Sequence, residues 1–260
     1  MISFFEAIGR NVISALEYVG GLIRLFTEAM GFILRGKLRL ALTIEQMSFL
    51  GVNSILIVLM TTTFAGMVIA FQLADVAVQY GVGKMVGGSA SLAMARELGP
   101  MLTAIVVAGR AGSAITAEIG SMKVTEQIDA LKMLAVSPVG YLVVPRLLAL
   151  LVMVPLLTLF SDISGLIGGS LVANDSAGIP YQVFWDSVRR MTLPVDLFKG
   201  LFKSLIFGIQ VATISCYQGL KTGRGAAGVG KATTRSVVIS MVFVFITNYI
   251  LSILLFTVEI

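Results

Sequence analysis

Residues 46–74 contain no charged side chain, and this run constrains the fold more than any other feature of the sequence. About 20 apolar helical residues cross the ~30 Å hydrocarbon core of a bilayer. The whole chain is also 57% hydrophobic and only 13% charged, whereas soluble domains have about 25% charged residues. The sequence therefore predicts an all-α integral membrane protein, and residues 46–74 are its first membrane span.

Four further apolar runs predict four more spans. Span two is interrupted by the charged residues Arg96 and Glu97 and then by Pro100, and span three contains Pro155 and one acid, Asp162. The five predicted spans are residues 46–74, 85–109, 143–173, 200–220 and 236–258, within a transmembrane domain of residues 41–260. Because five is an odd number, the two termini are predicted to face opposite sides of the membrane.

The distribution of Lys and Arg predicts which side is the cytoplasm. The N-terminal segment, loop two-to-three and loop four-to-five together carry 13 Lys and Arg residues, and the other two loops carry four. Cytoplasmic loops are enriched in these residues, so the N-terminus is predicted to be cytoplasmic and Ile260 to lie outside. These loops account for the net charge of +5 without a nucleic-acid partner. The outer loops are short, so any ligand-binding domain on that side must belong to a partner.

The first 40 residues predict an amphipathic helix. Apolar residues recur at steps of three or four, which gives one stripe along a helix, and charged residues fall between them. Such a helix is typical of a membrane-interface anchor, and a soluble partner-binding helix is the alternative. The stripe consists of Phe5, Ile8, Val12, Leu16, Val19, Ile23, Phe26, Met30 and Ile33.

A second amphipathic segment, at about residues 113–138, lies in the loop between spans two and three. Its apolar residues alternate with charged ones, and Ser137-Pro138 closes it, which predicts one cytoplasmic helix or a pair of short helices. The pattern alone does not decide between a helix resting on the membrane and a coupling helix that docks into a cytoplasmic subunit.

Few chemical functions are open to this chain. With no His and one Cys, it offers no His-based metal site, no imidazole acid–base chemistry and no internal disulfide. Residues 225–232 nearly match a phosphate-binding loop, but Ala232 replaces the hydroxyl residue that ligates Mg²⁺, and the segment follows a membrane span instead of a strand. We therefore expect a Gly-rich turn here and no ATP, magnesium or other cofactor bound by this chain.

The charges inside the spans are the candidates for a functional site. Arg96 and Glu97 cost roughly 2.5–3.5 kcal/mol each near the middle of a span, and neighbouring side chains on a helix point about 100° apart. Each residue is therefore expected to need a partner elsewhere: a second chain, a lipid headgroup or water. The acid Asp162 is flanked by Ser161, Gly165 and Gly169, whose spacing is typical of close helix packing.

The residues Arg96-Glu97-Leu98-Gly99-Pro100, the run from Ala108 to Gly120 and the run from Thr125 to Leu131 strongly resemble the MlaE family of ABC transporter permeases. The segment Gly230-Lys231-Ala232-Thr233-Thr234-Arg235 resembles the last cytoplasmic loop of that family. The similarity covers about residues 40–258, and the first 40 residues match only in character.

The resemblance implies a homodimeric permease that moves phospholipid between the inner and outer membranes of bacteria, or works in the chloroplast inner envelope. It implies a cytoplasmic ABC ATPase that binds the ATP and magnesium, an MCE-domain lipid-binding protein and, in some systems, a STAS-domain subunit. Arg96 and Glu97 would then handle substrate. The residues expected to couple the chain to the ATPase are Glu118, Lys123, Glu126 and Asp129.

Two functions from other classes remain as alternatives. A proton-coupled secondary transporter could use Glu97 and Asp162 as relays, but such transporters have repeated halves, and five spans do not divide in that way. A non-transporting membrane scaffold would leave Arg96 and Glu97 without an explanation. A permease without ATPase activity of its own is the function that the sequence favours.

Overall fold

The computed structural model describes residues 2–36 and 38–256, with side chains from residue 9 onward except those of residues 10, 11 and 15. The predicted stripe residues Phe5 and Ile8, the loop residue Lys37 and the C-terminal Ile260 therefore lie outside the described side chains. The described residues form eleven α-helices: α1 Ile2–Leu34, α2 Leu40–Gln46, α3 Ile55–Gln79, α4 Val86–Ala93, α5 Gly99–Val107, α6 Ser113–Val124, α7 Gln127–Met133, α8 Val144–Ala177, α9 Tyr181–Met191, α10 Pro194–Leu220 and α11 Gly225–Phe256.

Several of these helices join end to end, so the described residues contain five helical runs long and apolar enough to cross a membrane. The predicted number of spans is therefore confirmed. Short π-helical or 3₁₀-helical turns join the pieces of the first three runs, and the last two runs are α10 and α11 alone. The runs are Leu40–Gln79, Gly83–Val124, Val139–Ala177, Pro194–Leu220 and Gly225–Phe256.

The second run extends well beyond the predicted end of span two at residue 109. A π-helical turn at Ala108–Gly112 leads directly into α6, which ends at Val124. The backbone hydrogen bonds of a helix form between polar residues as readily as between apolar ones. The helix therefore continues past Arg110. The predicted coupling segment is consequently two helices, α6 and α7, separated at Glu126, which has a left-handed backbone (φ 60°).

Helices α3 and α8 pack closely because glycines face each other between them. A methyl group on Gly66 would overlap the carbonyl oxygen of Gly165, and one on Gly169 would lie 3.1 Å from the side chain of Ala70. Small residues let helix backbones approach within a membrane, where burial of apolar area between helices is not a driving force. Ser161 faces a different neighbour, since its Oγ donates to the Gly99 carbonyl of α5 over 3.5 Å.

Helix α9 is an element that the sequence analysis missed, because the segment between spans three and four was treated as a short loop. Gly178, with a φ of 63°, ends α8, and α9 begins just after Pro180. Phe184 and Ser187 are buried on one face of α9. Helix α10 begins at Pro194, and the Asp196 carboxylate accepts the backbone N–H of Leu193 over 2.9 Å, which caps this start.

Helix α1 is confirmed as a helix, but its buried face is not the predicted stripe. Leu22, Leu25 and Ala29 are buried, whereas Leu16 and Ile23 of the stripe are 67% and 57% exposed. The exposed part of the stripe is thus free to contact lipid, whereas its last residues pack partly against the core. The position of α1 in the membrane interface stays a prediction.

The Gly-rich segment at residues 225–232 was expected to be a turn, and this was wrong. Only Gly225, with a φ of 72°, has a turn conformation, and the residues after it form the first two turns of α11.

Candidate functional site

The centre of the site is a hydrogen-bonded group that joins span two to the last two spans. Lys203 of α10 has no exposed side-chain area, and its Nζ lies 2.9 Å from Oε1 of Glu97. On α11, Asn248 donates to Oε2 of Glu97 over 2.9 Å, and the Ser252 hydroxyl lies 2.8 Å and 2.9 Å from the two carboxylate oxygens. Three donors from two helices therefore fix the Glu97 carboxylate.

Arg96 is held by a separate acid. Its Nε donates to Oδ1 of Asp196 over 2.8 Å, and its Nη2 lies 2.6 Å from the same oxygen. The ring of Phe256 lies under the guanidinium, with 4.9 Å between Cζ and the ring centroid. Arg96 and Glu97 thus both have partners within the chain, so the expectation that these partners must come from a second chain, headgroup or water was wrong.

Local backbone geometry explains how Lys203 reaches this position. Pro100 has no N–H to donate to the carbonyl of Arg96 one turn earlier, and the turn Met94–Leu98 is π-helical. The Nζ of Lys203 instead donates to that carbonyl over 2.8 Å. A methyl group on Gly200 would overlap the carbonyl oxygen of Ala95, so the glycine allows α10 to approach closely enough for this bond.

We call this group of six residues the charge network: Arg96, Glu97, Asp196, Lys203, Asn248 and Ser252. Its two acids and two bases balance formally, which lowers the cost of placing charge within a span. The network is nevertheless open on one side, because the side chains of Arg96 and Glu97 are 35% and 37% exposed on the surface of the chain. This exposed side leaves room for a polar or charged group from outside the chain to contact the network.

Asp162, the other acid within a span, is arranged differently. It is 5% exposed, and neither of its carboxylate oxygens has a hydrogen-bond partner among the described residues. A methyl group on Gly99 would overlap its Oδ1, so the carboxyl group lies against the beginning of α5. The structure does not bring Asp162 into the charge network, although both touch the same part of span two.

The predicted coupling residues do not lie in one cluster. Glu118 of α6 forms an ion pair with the buried Arg146, with 2.7 Å between Oε2 and Nη2. Asp129 is exposed and lies 2.7 Å from Lys132 and 3.7 Å from Lys123. These two bases lower the pKa of the Asp129 carboxyl group below its usual value.

A cavity of about 600 Å³ opens beside these residues, between the α6–α7 turn and the beginning of α11. Glu126 lines it together with Lys123 and Asp129, and Arg224 lies on its other side. Three of the four predicted coupling residues therefore surround one polar depression, and Glu118 lies outside it.

Sequence reasoning missed Lys203 and Asp196, which hold the two residues that it found. A signal for Lys203 was present, because the chain has 19 Lys and Arg residues and the loop count leaves only two of them, Arg96 and Lys203. Both therefore lie inside spans, where an ionisable residue usually has a partner or a function. Asp196 follows Pro194 by two residues, a spacing typical of the first turn of a helix.

Comparison with known proteins gives consistent matches over most of the chain. Residues 43–254 match the family described as Permease MlaE. A probable ABC transporter permease protein of Synechocystis is 47% identical over 224 residues, which are 86% of this chain and 85% of that protein. A probable ABC transporter permease protein of Rickettsia felis is 38% identical over 258 residues, which are 99% of this chain and 100% of that protein. The intermembrane phospholipid transport system permease protein MlaE of Haemophilus influenzae is 34% identical over 265 residues, 98% of each chain.

Proposed function

The chain belongs to the MlaE permease family, and from this premise we propose that it carries phospholipid between the inner and outer membranes. It is the membrane-spanning permease subunit of an ABC transporter. A separate cytoplasmic ATPase binds the ATP and magnesium and supplies the energy. Membership of this family favours an ABC transporter permease over the two alternatives, a proton-coupled secondary transporter and a non-transporting scaffold.

The observation that carries this proposal is the open side of the charge network. Arg96 donates to Asp196 through Nε and Nη2, and its Nη1 has no partner among the described residues. A guanidinium group binds phosphate oxygens well, because its N–H groups are arranged in a planar fork. We infer that the phosphate of a phospholipid reaches this Nη1 from the surface of the chain.

Glu97 has a positioning role in this proposal. Its carboxylate is fixed by Lys203 and by two residues of α11, so it connects the substrate site to the last span. A change in the position of α11 would then change the geometry around Arg96. The site could thereby bind phosphate in one state of the transporter and release it in another.

The surface of α11 suggests how two copies assemble. Its buried residues form a single stripe of Ala232, Ser236, Ser240 and Val244, and large apolar side chains such as Phe245 and Tyr249 are exposed. In the proposed homodimer, a second protomer covers part of this face and encloses a cavity beside the charge network. An MCE-domain lipid-binding protein on the outer side would deliver or accept the lipid, and a STAS-domain subunit could join on the cytoplasmic side.

The chain is a multi-pass membrane protein, and we place it in the inner membrane with its N-terminus in the cytoplasm. The chloroplast inner envelope is the alternative location. With this orientation, the depression lined by Lys123, Glu126 and Asp129 faces the ATPase. The ion pair between Glu118 and Arg146 then holds α6 against α8.

The test is a phospholipid transport assay with the permease, its ATPase and its MCE protein reconstituted in vesicles. We expect Arg96→Ala and Glu97→Ala to lower the transport rate at least roughly tenfold, the effect of losing one charge-assisted hydrogen bond. Dimerisation and ATPase binding should be unchanged. Because Glu97→Ala leaves Lys203 without its carboxylate, Glu97→Gln provides a milder variant, and exposed Asp75→Ala on α3 is the control. Normal transport by Arg96→Ala would overturn the assignment.

A second arm of the same assay tests the coupling surface. Charge reversal in Glu126→Lys should release the ATPase from a permease that stays folded and dimeric. If the ATPase still co-purifies in its normal ratio and hydrolyses ATP at the usual rate, Glu126 is not part of that interface.

A further inference from the structure

Among the described residues, Asp162 is the acid whose carboxyl oxygens are buried without a hydrogen-bond partner. Neighbouring hydroxyl groups on α8 are bonded elsewhere: Ser161 donates to the Gly99 carbonyl and Ser164 to the Ser161 carbonyl. Buried polar groups in native proteins are almost always hydrogen-bonded, so this carboxyl group requires a donor that the described residues do not supply.

Asp162 lines a cavity of about 400 Å³, which we call the Asp162 cavity. The cavity lies between α8, the end of α4, the C-terminal end of α9 and the beginning of α10. Its size is within the range of small-molecule sites. Most of its wall is aliphatic, and the charged residues that line it are Asp162, which is buried, and Arg189, which is exposed. The aliphatic residues are Leu159, Ile163, Leu166, Val188, Leu193 and Leu197.

The arrangement of charges restricts the chemistry of an occupant. The buried end needs a cation or another hydrogen-bond donor for Asp162, and the exposed side offers a guanidinium group to an anion. The two hydroxyl side chains that also line the cavity, Ser91 and Thr192, bond to each other. The wall therefore leaves few partners for water, which needs two to four polar contacts at a buried site. An occupant should therefore be an amphiphile with a positive end and a negative group.

We propose that the Asp162 cavity binds the headgroup of a zwitterionic phospholipid with a primary ammonium group, such as phosphoethanolamine. The ammonium group is the outermost part of this headgroup, so it enters first. The oxygens of Asp162 each have less than 1 Å² of accessible surface, so its side chain must turn into the cavity to accept from the ammonium group. The phosphate follows and meets Arg189, and the acyl chains remain outside the cavity. This inference rests on the proposed function for the choice of a phospholipid, and it adds a headgroup class at a site separate from Arg96.

The donor requirement of Asp162 separates this headgroup from the common alternatives. A quaternary ammonium group, as in phosphocholine, is cationic but has no N–H to donate. A phosphoglycerol headgroup has hydroxyl donors but no positive charge, so it would leave the carboxylate without a counter-ion. A primary ammonium group supplies both a charge and three donors.

The test measures which lipids the purified full-length chain retains. The chain is equilibrated in nanodiscs of equal parts phosphatidylethanolamine, phosphatidylcholine and phosphatidylglycerol, extracted into detergent and analysed by native mass spectrometry. We expect wild-type protein to retain phosphatidylethanolamine roughly tenfold over the other two, and Asp162→Asn to lose this preference. Equal retention of all three lipids by the wild type, or an unchanged preference in Asp162→Asn, would overturn the proposal.

Each test variant has a matched control: Asp186→Asn for Asp162→Asn, and Arg190→Gln for Arg189→Gln. Asp186→Asn and Arg190→Gln change exposed residues of α9 and should retain the wild-type preference. Arg189→Gln, which is too exposed to threaten the fold, should lower the preference about threefold, the size of an exposed ion pair. If Asp162→Asn fails to fold, Arg189→Gln decides, and an unchanged preference there sinks the proposal.

The proposed transport role of Arg96 can fail independently of this site. Arg96→Gln should lower the total amount of retained phospholipid but leave the preference for phosphatidylethanolamine unchanged. Loss of that preference in Arg96→Gln, with Asp162 intact, would mean that the headgroup is selected at the charge network and not in the Asp162 cavity.

Discussion

Glu97 and Asp162 are two acids within spans, and both lie at the same part of span two. Glu97 lies in the π-helical turn Met94–Leu98 and accepts from Lys203, Asn248 and Ser252. Asp162 lies against Gly99, just after that turn, and has no such partner among the described residues. The difference teaches that an acid in a span can be matched within its own chain or left for something outside it.

The largest effect is expected when the matched acid loses its base. Lys203→Ala removes a fully buried ammonium group, takes one of three donors from the Glu97 carboxylate and leaves the Arg96 carbonyl without its side-chain donor. Removing one partner of a buried ion pair costs about 3–5 kcal/mol, and the lower end applies here because Glu97 is 37% exposed. The free energy of unfolding, measured in detergent by circular dichroism with increasing denaturant, should fall by that amount.

A second substitution sharpens this result. Glu97→Gln combined with Lys203→Met removes both charges, so the pair should recover part of the lost stability, whereas exposed Lys84→Ala should change little. If the double variant is no more stable than Lys203→Ala, the two residues do not act as a pair.

An intermediate effect is expected at the contact between Gly99 and Asp162. Gly99→Ala would place a methyl group against the carboxylate, and overpacking of this kind costs about 1–3 kcal/mol. In an Asp162→Ala background the same change should cost much less, and a double-mutant cycle of unfolding free energies measures the difference. Gly109→Ala, which meets no atom within 4 Å, is the control. An equal cost in both backgrounds would contradict the described position of Asp162.

The smallest effect is expected for Asp129, an exposed acid outside the spans. The pKa of Asp129 is lowered by Lys132 and Lys123, so its charged form stabilises the folded chain at pH values above its unfolded pKa. That contribution is lost as the pH falls through the lower folded pKa. Carbon-13 NMR of labelled aspartate should show this low titration midpoint, and Lys132→Ala should move it up towards the ordinary value. An unchanged midpoint in Lys132→Ala would exclude this ion pair as the cause.

The spans were predictable because their signal is local. A charge-free run such as residues 46–74 has one physical reading, and the structure agrees on all five runs. Helix boundaries were less predictable, because the run predicted to end at residue 109 continues to Val124. An apolar run in the sequence predicts which part of a helix lies in the membrane. It does not predict where the backbone hydrogen bonds of that helix end.

The charge network was only half predictable. Arg96 and Glu97 stand out as adjacent charges in an apolar run, but their partners Asp196 and Lys203 lie about 100 residues further along the chain. Which helices meet is decided by packing, through contacts such as Gly200 against Ala95, and that information is spread over the whole chain. Helix α9 was missed although its 11 residues are amphipathic, because the segment between spans three and four was treated as a short loop.

The contact between α3 and α8 limits how this protein can change shape. Backbone meets backbone at Gly66 and Gly165, so no flexible side chain lies between the helices there to change rotamer and let them slide. These two helices must therefore move as a rigid body. Helix α11, held by one stripe of buried residues, is the element that can shift against it, and Asn248 and Ser252 would transmit that shift directly to Glu97.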